Sequence, residues 1–454
     1  MRGINIRNIT RICGGTYYGP EHLWDQEIAS IYTDSRKIEK NSLFIPIQGE
    51  RVDGHCFISQ VFEMGALVTL SERKLDGTNP YILIESSLQA LKDIAEFYLE
   101  QLNIPVIGIT GSVGKTSTKE LIASVLSQKF HTLKTDGNFN NEIGLPLTVF
   151  RLREEHEAAV LEMGISDFGE MSRLTKIAKP NIAVITNIGL CHLENLKTRD
   201  GILKAKTEIF QGLKENGTII LNGDDDKLCT IEEYQGKKPV YFGFGHSNAI
   251  YADQIVKLGL KGSKCILHTP KGELAVQIPV PGAHMVMNAM AACAVGLSMS
   301  LTLEEIREGI ENLQSVPGRM NLIHGETYSI IDDCYNANPV SMKSSVDVLM
   351  EAEGRKVCIL GDMFELGQEE RELHAEVGTY ISSKVDLLIT IGSLSEYISQ
   401  AASAGAECRC VHFADKKTAM QAFPELLEKG DSILVKASHG MEFSEIVEYL
   451  QNIK

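Results

Sequence analysis

The chain has 454 residues, with 44 Lys and Arg against 60 Asp and Glu, a formal net charge of −16. So acidic a chain is a poor general binder of nucleic acid or anionic lipid, although a local basic cleft remains compatible with it. Apolar residues make up 43% and charged residues 23%, which supplies several buried cores and excludes long disorder. At roughly 150 residues per domain, the length points to about three domains.

In chain order, the first thirteen residues alternate charge and apolar side chains and contain no apolar core of a secretion signal. Short apolar strands are predicted at 42–47 and 81–84. They are followed by a helix in which Leu91, Ile94, Ala95 and Tyr98 recur at helical spacing. A second unit opens on the buried-strand pattern 105–110, then a Gly-rich turn and a helix with Leu121, Ile122, Val125 and Leu126 on one face. Strands at 158–162, 182–186 and 218–222 continue a βαβ alternation, which implies a mostly parallel sheet. The weakly polar run 283–303 is broken by His284, Asn288, Ser298, Ser300 and Thr302. It reads as a buried Ala/Met helix and not as a membrane span. A third unit opens at Val316-Pro317-Gly318-Arg319, with strands at 329–332, 356–360, 386–391 and 432–435, a second doubly wound α/β pattern. No short-period repeat is visible. The expected boundaries give units of residues 1–102, 103–314 and 315–454. Ten scattered cysteines without a C-x-x-C pair argue against zinc and against a secreted disulfide framework. The expectation is a cytoplasmic monomer with no membrane span and no nucleic-acid partner.

The sharpest chemical signal is Thr110-Gly111-Ser112-Val113-Gly114-Lys115-Thr116-Ser117 between a strand and a helix. Glycines there let backbone N–H groups approach phosphate oxygens at a helix N-terminus. Lys115 would neutralise β/γ phosphates, and the Thr116 hydroxyl would ligate Mg²⁺. The spacing departs from the usual phosphate loop, since Ile109 stands where its first glycine belongs. Glu162 and His192 fall at strand ends, where α/β ligand sites collect. Each also suits an ordinary rim or capping role. Lys206, taken alone, reads as a surface helix lysine. Asp332 and Asp333 suit ribose hydroxyls or a metal, and equally the capping of a following helix.

The order of these pieces resembles the Mur ligase family, ATP-dependent amide-bond ligases of bacterial peptidoglycan precursor synthesis. The resemblance rests on the loop 110–116, Glu162-Met163-Gly164, Asn187-Ile188-Gly189 with His192, Ala205-Lys206, Gly318-Arg319 and the segment 333–339. Further segments resemble members that add D-alanyl-D-alanine to UDP-N-acetylmuramoyl-tripeptide. They are the loop 137–146, Leu360-Gly361-Asp362-Met363 with Glu365-Leu366-Gly367 and Glu372-Leu373-His374, and near the N-terminus Asp34-Ser35-Arg36, Leu43-Phe44 and residues 49–55.

The resemblance implies a three-domain α/β fold: a mixed N-terminal UDP-binding domain, a central P-loop ATPase-type parallel-sheet domain and a C-terminal Rossmann-like domain. It implies ATP and two Mg²⁺ as cofactors, with Gly111, Ser112, Val113, Gly114, Lys115, Thr116, Ser117, Asn288, Arg319 and Asp333 at the nucleotide. Thr116, Glu162, His192 and a carbamylated Lys206 become metal ligands, and Lys115, Glu162, His192 and Lys206 the catalytic set. Ser35, Arg36, Asp53, Gly54, His55, Asn138, Asn140 and Asn141 become candidates for substrate binding. The chain departs from the family near its C-terminus, where Lys436-Ala437-Ser438-His439 stands in place of an expected Lys-Gly-Ser-Arg. The competing expectations are a related ligase such as folylpolyglutamate synthase, a simple NTPase or kinase, and a silent scaffold.

Overall fold

The computed structural model describes residues 1–49, 52–405 and 408–453; Glu50 and Arg51, within the quoted segment 49–55, lie outside the described residues. Three sheets follow one another along the chain. The first has five strands in the order Thr16–Tyr18, Tyr81–Leu83, Val68–Ser71, Leu43–Phe44, Ile31–Tyr32, with only the first pair antiparallel. The strand expected at 42–47 is thus two residues long, because Pro46 lacks the N–H needed to continue the ladder. The helix Ser87–Leu102 starts on a Ser86 side-chain cap and stops at Asn103, in the left-handed region at φ 49°. It buries Leu91, Ile94, Ala95, Tyr98 and Leu99. The Tyr98 hydroxyl donates to Leu152 O at 2.7 Å, tying the first unit to the second. The two units share one continuous apolar core.

The central sheet has nine strands in the order Gly272–Ile278, Ser263–Thr269, Ile250–Lys257, Val240–Gly243, Thr218–Asn222, Ile182–Ile185, Val106–Thr110, Ala158–Glu162, Thr132–Lys134. It is parallel from Ile250–Lys257 onward, and the first two strands form an antiparallel extension that the sequence reading did not anticipate. From Val106–Thr110 the chain leaves for one edge and then returns to the opposite side of the same strand. That strand therefore lies at the topological switch point, where the carboxyl ends of three neighbours open a crevice. Leu121, Ile122, Val125 and Leu126 are fully buried beneath it, each contributing about 1.5–3 kcal/mol by area. The run near 283–303 is the helix Ala283–Ser298, buried along most of its length. No helix among the described residues is long and apolar enough to cross a membrane.

The third sheet has six strands in the order Asn321–His324, Ser329–Asp332, Ser432–Lys436, Lys356–Gly361, Leu387–Ile391, Arg409–Phe413, parallel except for the first pair. Its apolar core continues into that of the central unit. The carboxyl ends of its middle strands face the crevice of the central sheet.

Candidate active site

Backbone conformation sets the glycine-rich loop. Gly111 has φ +151°, and a Cβ built there would sit 1.9 Å from Thr186 Oγ1. Only glycine fits. The loop is laced to the neighbouring strand end. Ser112 N donates to Asn187 O at 3.0 Å, and Val113 N to Asn187 Oδ1 at 3.0 Å. Thr186 Oγ1 and Asn187 Nδ2 donate back to Val113 O at 2.7 and 2.9 Å. Gly114, at φ +81°, opens the helix Lys115–Leu126. Gly111→Ala is expected to cost more than about 2 kcal/mol in urea unfolding and to abolish ATP binding by calorimetry, since clash and backbone strain act together.

Lys115 Nζ folds back onto Gly111 O at 2.9 Å. Thr116 Oγ1 donates to Glu162 Oε2 at 3.0 Å, and Asn140 Nδ2 donates to Glu162 Oε1 at 2.9 Å. Glu162 is 2% exposed. The buried ammonium of Lys119 lies 3.9 Å from Glu162 Oε2; it donates to Thr135 O at 2.6 Å and pairs with Glu120 at 3.0 Å. Sequence reasoning passed over Lys119, although a lysine one turn after Lys115 on the buried side of the helix was a readable signal.

Lys206 is not a surface lysine. It is 1% exposed, and its Nζ donates to Gly111 O at 3.1 Å beneath the loop. Burial, with the nearby Lys115 charge adding to it, takes its ammonium down to about 8. His192 sits in the left-handed region at φ +50°, and its Nδ1 lies 2.9 Å from Glu365 Oε2 of the third unit. That hydrogen bond holds the Glu365 carboxyl below the usual range. The four expected metal ligands therefore do not converge as one cluster: Thr116 partners Glu162, His192 partners Glu365, and Lys206 partners a backbone carbonyl. Among the described residues no three or more His, Cys, Asp and Glu are gathered for a metal.

The third unit supplies the opposite wall. Asp333 does not cap a helix; Asn338 caps the helix Pro339–Leu349. Instead the Asp333 carboxylate accepts from Met320 N at 3.1 Å, Ser345 Oγ at 2.6 Å and Lys436 Nζ at 2.5 Å. Asp332 accepts from Gly318 N at 2.7 Å, which fixes the turn that carries Arg319. The Arg319 guanidinium lies 3.9 Å from the Tyr335 ring centroid, and that ring lies 5.0 Å from His439. At the departure, the His439 ring thus lies tilted against Tyr335, at 35° between ring planes. On the central side, Asn288 is buried and accepts from Thr118 Oγ1 at 3.0 Å.

Between these walls lies a cavity of about 940 Å³, lined by residues 112–117, Asn140, Asn141, Glu162, His192, Asn288, Arg319, Asp333, Glu365 and Lys436. It is at the upper end of ordinary ligand sites, ~300–1,000 Å³. The structure does not bring every candidate to it. Gly111 and Lys206 lie behind the loop, and Asn138 is absent from the lining. Ser35, Arg36, Asp53, Gly54 and His55 are also outside it, within the first unit. There, Arg36 pairs with Asp34 at 2.9 Å in solvent. Asp53 Oδ1 accepts from His55 N at 2.9 Å and faces His55 Nδ1 at 2.7 Å, while Glu72 N donates to His55 Nε2 at 3.2 Å. The imidazole therefore donates at Nδ1 and accepts at Nε2.

A phosphate loop at a switch point, closed by a second α/β unit, is the arrangement of an ATP-dependent ligase. Residues 27–107 match the family model for the Mur ligase family catalytic domain, 109–296 the Mur ligase middle domain and 318–439 the Mur ligase glutamate ligase domain. The chain belongs to the Mur ligase family. Among its relatives, the UDP-N-acetylmuramoyl-tripeptide–D-alanyl-D-alanine ligase of Bacillus subtilis is 42% identical, with 98% of each chain covered. The enzyme of the same name from Escherichia coli is 36% identical over 99% of each. A MurF crystal structure from Acinetobacter baumannii superposes with TM-score 0.91 at 32% identity, covering 99% of each chain. The Thermotoga maritima MurF in complex with ADP superposes with TM-score 0.83 at 28% identity, covering 93% of this chain and 97% of that one. A folylpolyglutamate synthase from Mycobacterium tuberculosis shares the fold at TM-score 0.64 and 14% identity.

Proposed function

We propose that the chain is the ATP-dependent ligase that joins D-alanyl-D-alanine to UDP-N-acetylmuramoyl-tripeptide, the last cytoplasmic step in building the peptidoglycan precursor peptide. The observation that carries it is the shared cleft. The phosphate loop and Glu162 stand on one wall, with Arg319, Asp333 and Lys436 of a second unit on the other. A simple NTPase needs no such second wall.

In the reaction, an oxygen of the tripeptide's terminal carboxylate attacks the γ-phosphorus of ATP, the bond to the β-phosphate oxygen breaks, and ADP leaves. The amine of D-alanyl-D-alanine then attacks the acyl carbon, the C–O bond to phosphate breaks, and the amine's proton passes to solvent. Both steps ask mainly for positioning and charge neutralisation. Lys115 and the loop N–H groups hold the β/γ phosphates, while Asn288 and Arg319 contact the rest of the nucleotide from the two walls.

Thr116 and Glu162 offer the hard oxygen donors that Mg²⁺ takes. Thr116 Oγ1 and Glu162 Oε2 are 3.0 Å apart. Thr116, Glu162, His192 and carbamylated Lys206 would hold two ions, which supply charge neutralisation for the transferring phosphoryl group. A Lys206 ammonium that titrates near 8 keeps a share of neutral amine at neutral pH. That amine adds CO₂ and releases a proton, and so becomes an anionic oxygen ligand.

Residues 1–102 form the UDP-binding domain, 103–314 the ATP domain and 315–454 the ligase domain. Ser35, Arg36, Asp53, Gly54 and His55 hold the uridine end. Asn138, Asn140 and Asn141 orient the peptide end. The enzyme works as a cytoplasmic monomer.

Phosphate release from Mg²⁺-ATP, with product mass recorded, tests the reading. Release that needs both UDP-N-acetylmuramoyl-tripeptide and D-alanyl-D-alanine, with a pentapeptide product, is expected. Release that ignores the amine would make the chain an NTPase.

A further inference from the structure

We infer that Glu365 of the third unit is a positioning residue for His192, so that seating of the third unit completes the metal-binding face of the central unit. The inference rests on the reading of His192 as a metal ligand. Glu365 Oε2 lies 2.9 Å from His192 Nδ1, within hydrogen-bond distance, where the loop after Lys356–Gly361 meets the loop after Ile182–Ile185.

Both residues hold left-handed backbone, at φ +50° for His192 and φ +63° for Glu365, although neither is glycine. Non-glycine residues keep that conformation only when their surroundings impose it. For Glu365 the surroundings are explicit. Asp362 Oδ1 accepts from Leu394 N at 3.0 Å and Ser395 N at 2.6 Å, Met363 N donates to His374 Nε2 at 2.9 Å, and Phe364 N donates to Ser438 Oγ at 2.9 Å. Every residue from 362 to 364 is thereby anchored in the third unit's own frame, which ties the Glu365 backbone to that unit. Behind it, the turn Gly367–Glu369 packs on the short helix Leu193–Leu196.

The chemistry follows from the imidazole. A ring that donates its Nδ1 hydrogen to a carboxylate is fixed as one tautomer and keeps its lone pair at Nε2. Such a carboxylate also raises the basicity of that lone pair and sets the ring plane. Without Glu365, His192 would keep its place in sequence and lose its orientation. A metal ligand on one unit would thus be set by a carboxylate on another, and metal affinity would report whether the third unit is seated.

The test is Mn²⁺ binding in the presence of a non-hydrolysable ATP analogue, read by electron paramagnetic resonance, on the full chain. Glu365→Ala is expected to weaken Mn²⁺ binding by about 10-fold or more, the range for lost outer partners of metal ligands. His192→Ala should weaken it at least as much. The double variant should bind within about twofold of His192→Ala, because Glu365 then has nothing left to orient. Glu365→Gln keeps an acceptor oxygen and should recover most of the affinity. Unchanged binding in Glu365→Ala, or a further tenfold loss in the double variant, would overturn the inference while leaving the metal reading intact. A Glu365→Gln protein as weak as Glu365→Ala would likewise overturn it. Unchanged binding in His192→Ala would sink the metal reading and the inference together.

Discussion

Lys115→Ala should lower ligase turnover by about 10³-fold, the scale for losing a preorganised charge at a transferring group. Among the described residues no other cation in the cleft is placed to compensate. Lys119 is one turn away but buried, with its ammonium committed to Thr135 O and Glu120. Lys436 is held by Asp333 and Asn336 O, and Arg319 stacks on Tyr335 from the opposite wall. Stability should barely move, within about 0.5 kcal/mol, because Lys115 Nζ bonds only to carbonyls of its own loop. Steady-state turnover and urea unfolding together decide it. A loss smaller than tenfold would remove Lys115 from the phosphate site.

Lys206→Met should do two opposite things: abolish ligation and stabilise the fold. Met fills nearly the same volume without a charge to desolvate. The Lys206 ammonium falls from 10.5 to about 8 because it is buried. Keeping it charged at pH 7 therefore costs on the order of 3 kcal/mol. The lost hydrogen bond to Gly111 O offsets about 1 kcal/mol of this, since Lys115 still donates to that carbonyl. Between about pH 8 and 10.5 the unfolded lysine carries a proton that the folded one has released. Wild-type stability therefore gains as pH rises through that window, and the advantage of the Met variant shrinks. Urea midpoints in CO₂-depleted buffer at pH 7 and pH 10 measure this directly. A Met variant less stable than wild type at pH 7 would mean that the ammonium is well paired in the fold. Adding bicarbonate should raise turnover of the wild type and leave the Met variant inactive.

The parts of this molecule that were legible in the sequence are those encoded in contiguous residues. The phosphate loop is one strand, one turn and one helix, and each carries its own periodicity. The buried strands at 158–162 and 182–185 are continuous apolar runs that end on Glu162 and near His192. The antiparallel extension Ser263–Thr269 and Gly272–Ile278 was also written locally, in the alternation of Cys265, Leu267, Leu274, Val276 and Ile278 about Lys271-Gly272. Being an antiparallel hairpin, it lies outside the βαβ alternation that marks the rest of the sheet. The burial of Lys206 was not legible, since an Ala-Lys-Thr-Glu helix turn looks solvated until a loop packs over it. Nor was the His192–Glu365 contact, which joins residues far apart in the chain on separate sheets. Asp332 and Asp333 left capping and ligand binding equally open; the register that sets Asp332 beside Val435 decides that Lys436 meets Asp333.

The most direct measurement follows the oxygen atoms of the tripeptide's terminal carboxylate. With both labelled as ¹⁸O and D-alanyl-D-alanine supplied, passage through an acyl phosphate leaves one label in the new amide. It delivers the other to inorganic phosphate, one ¹⁸O per phosphate released. Unlabelled phosphate would mean that ATP is hydrolysed by water outside the ligation, and label in AMP would mean adenylation; either result would contradict the account.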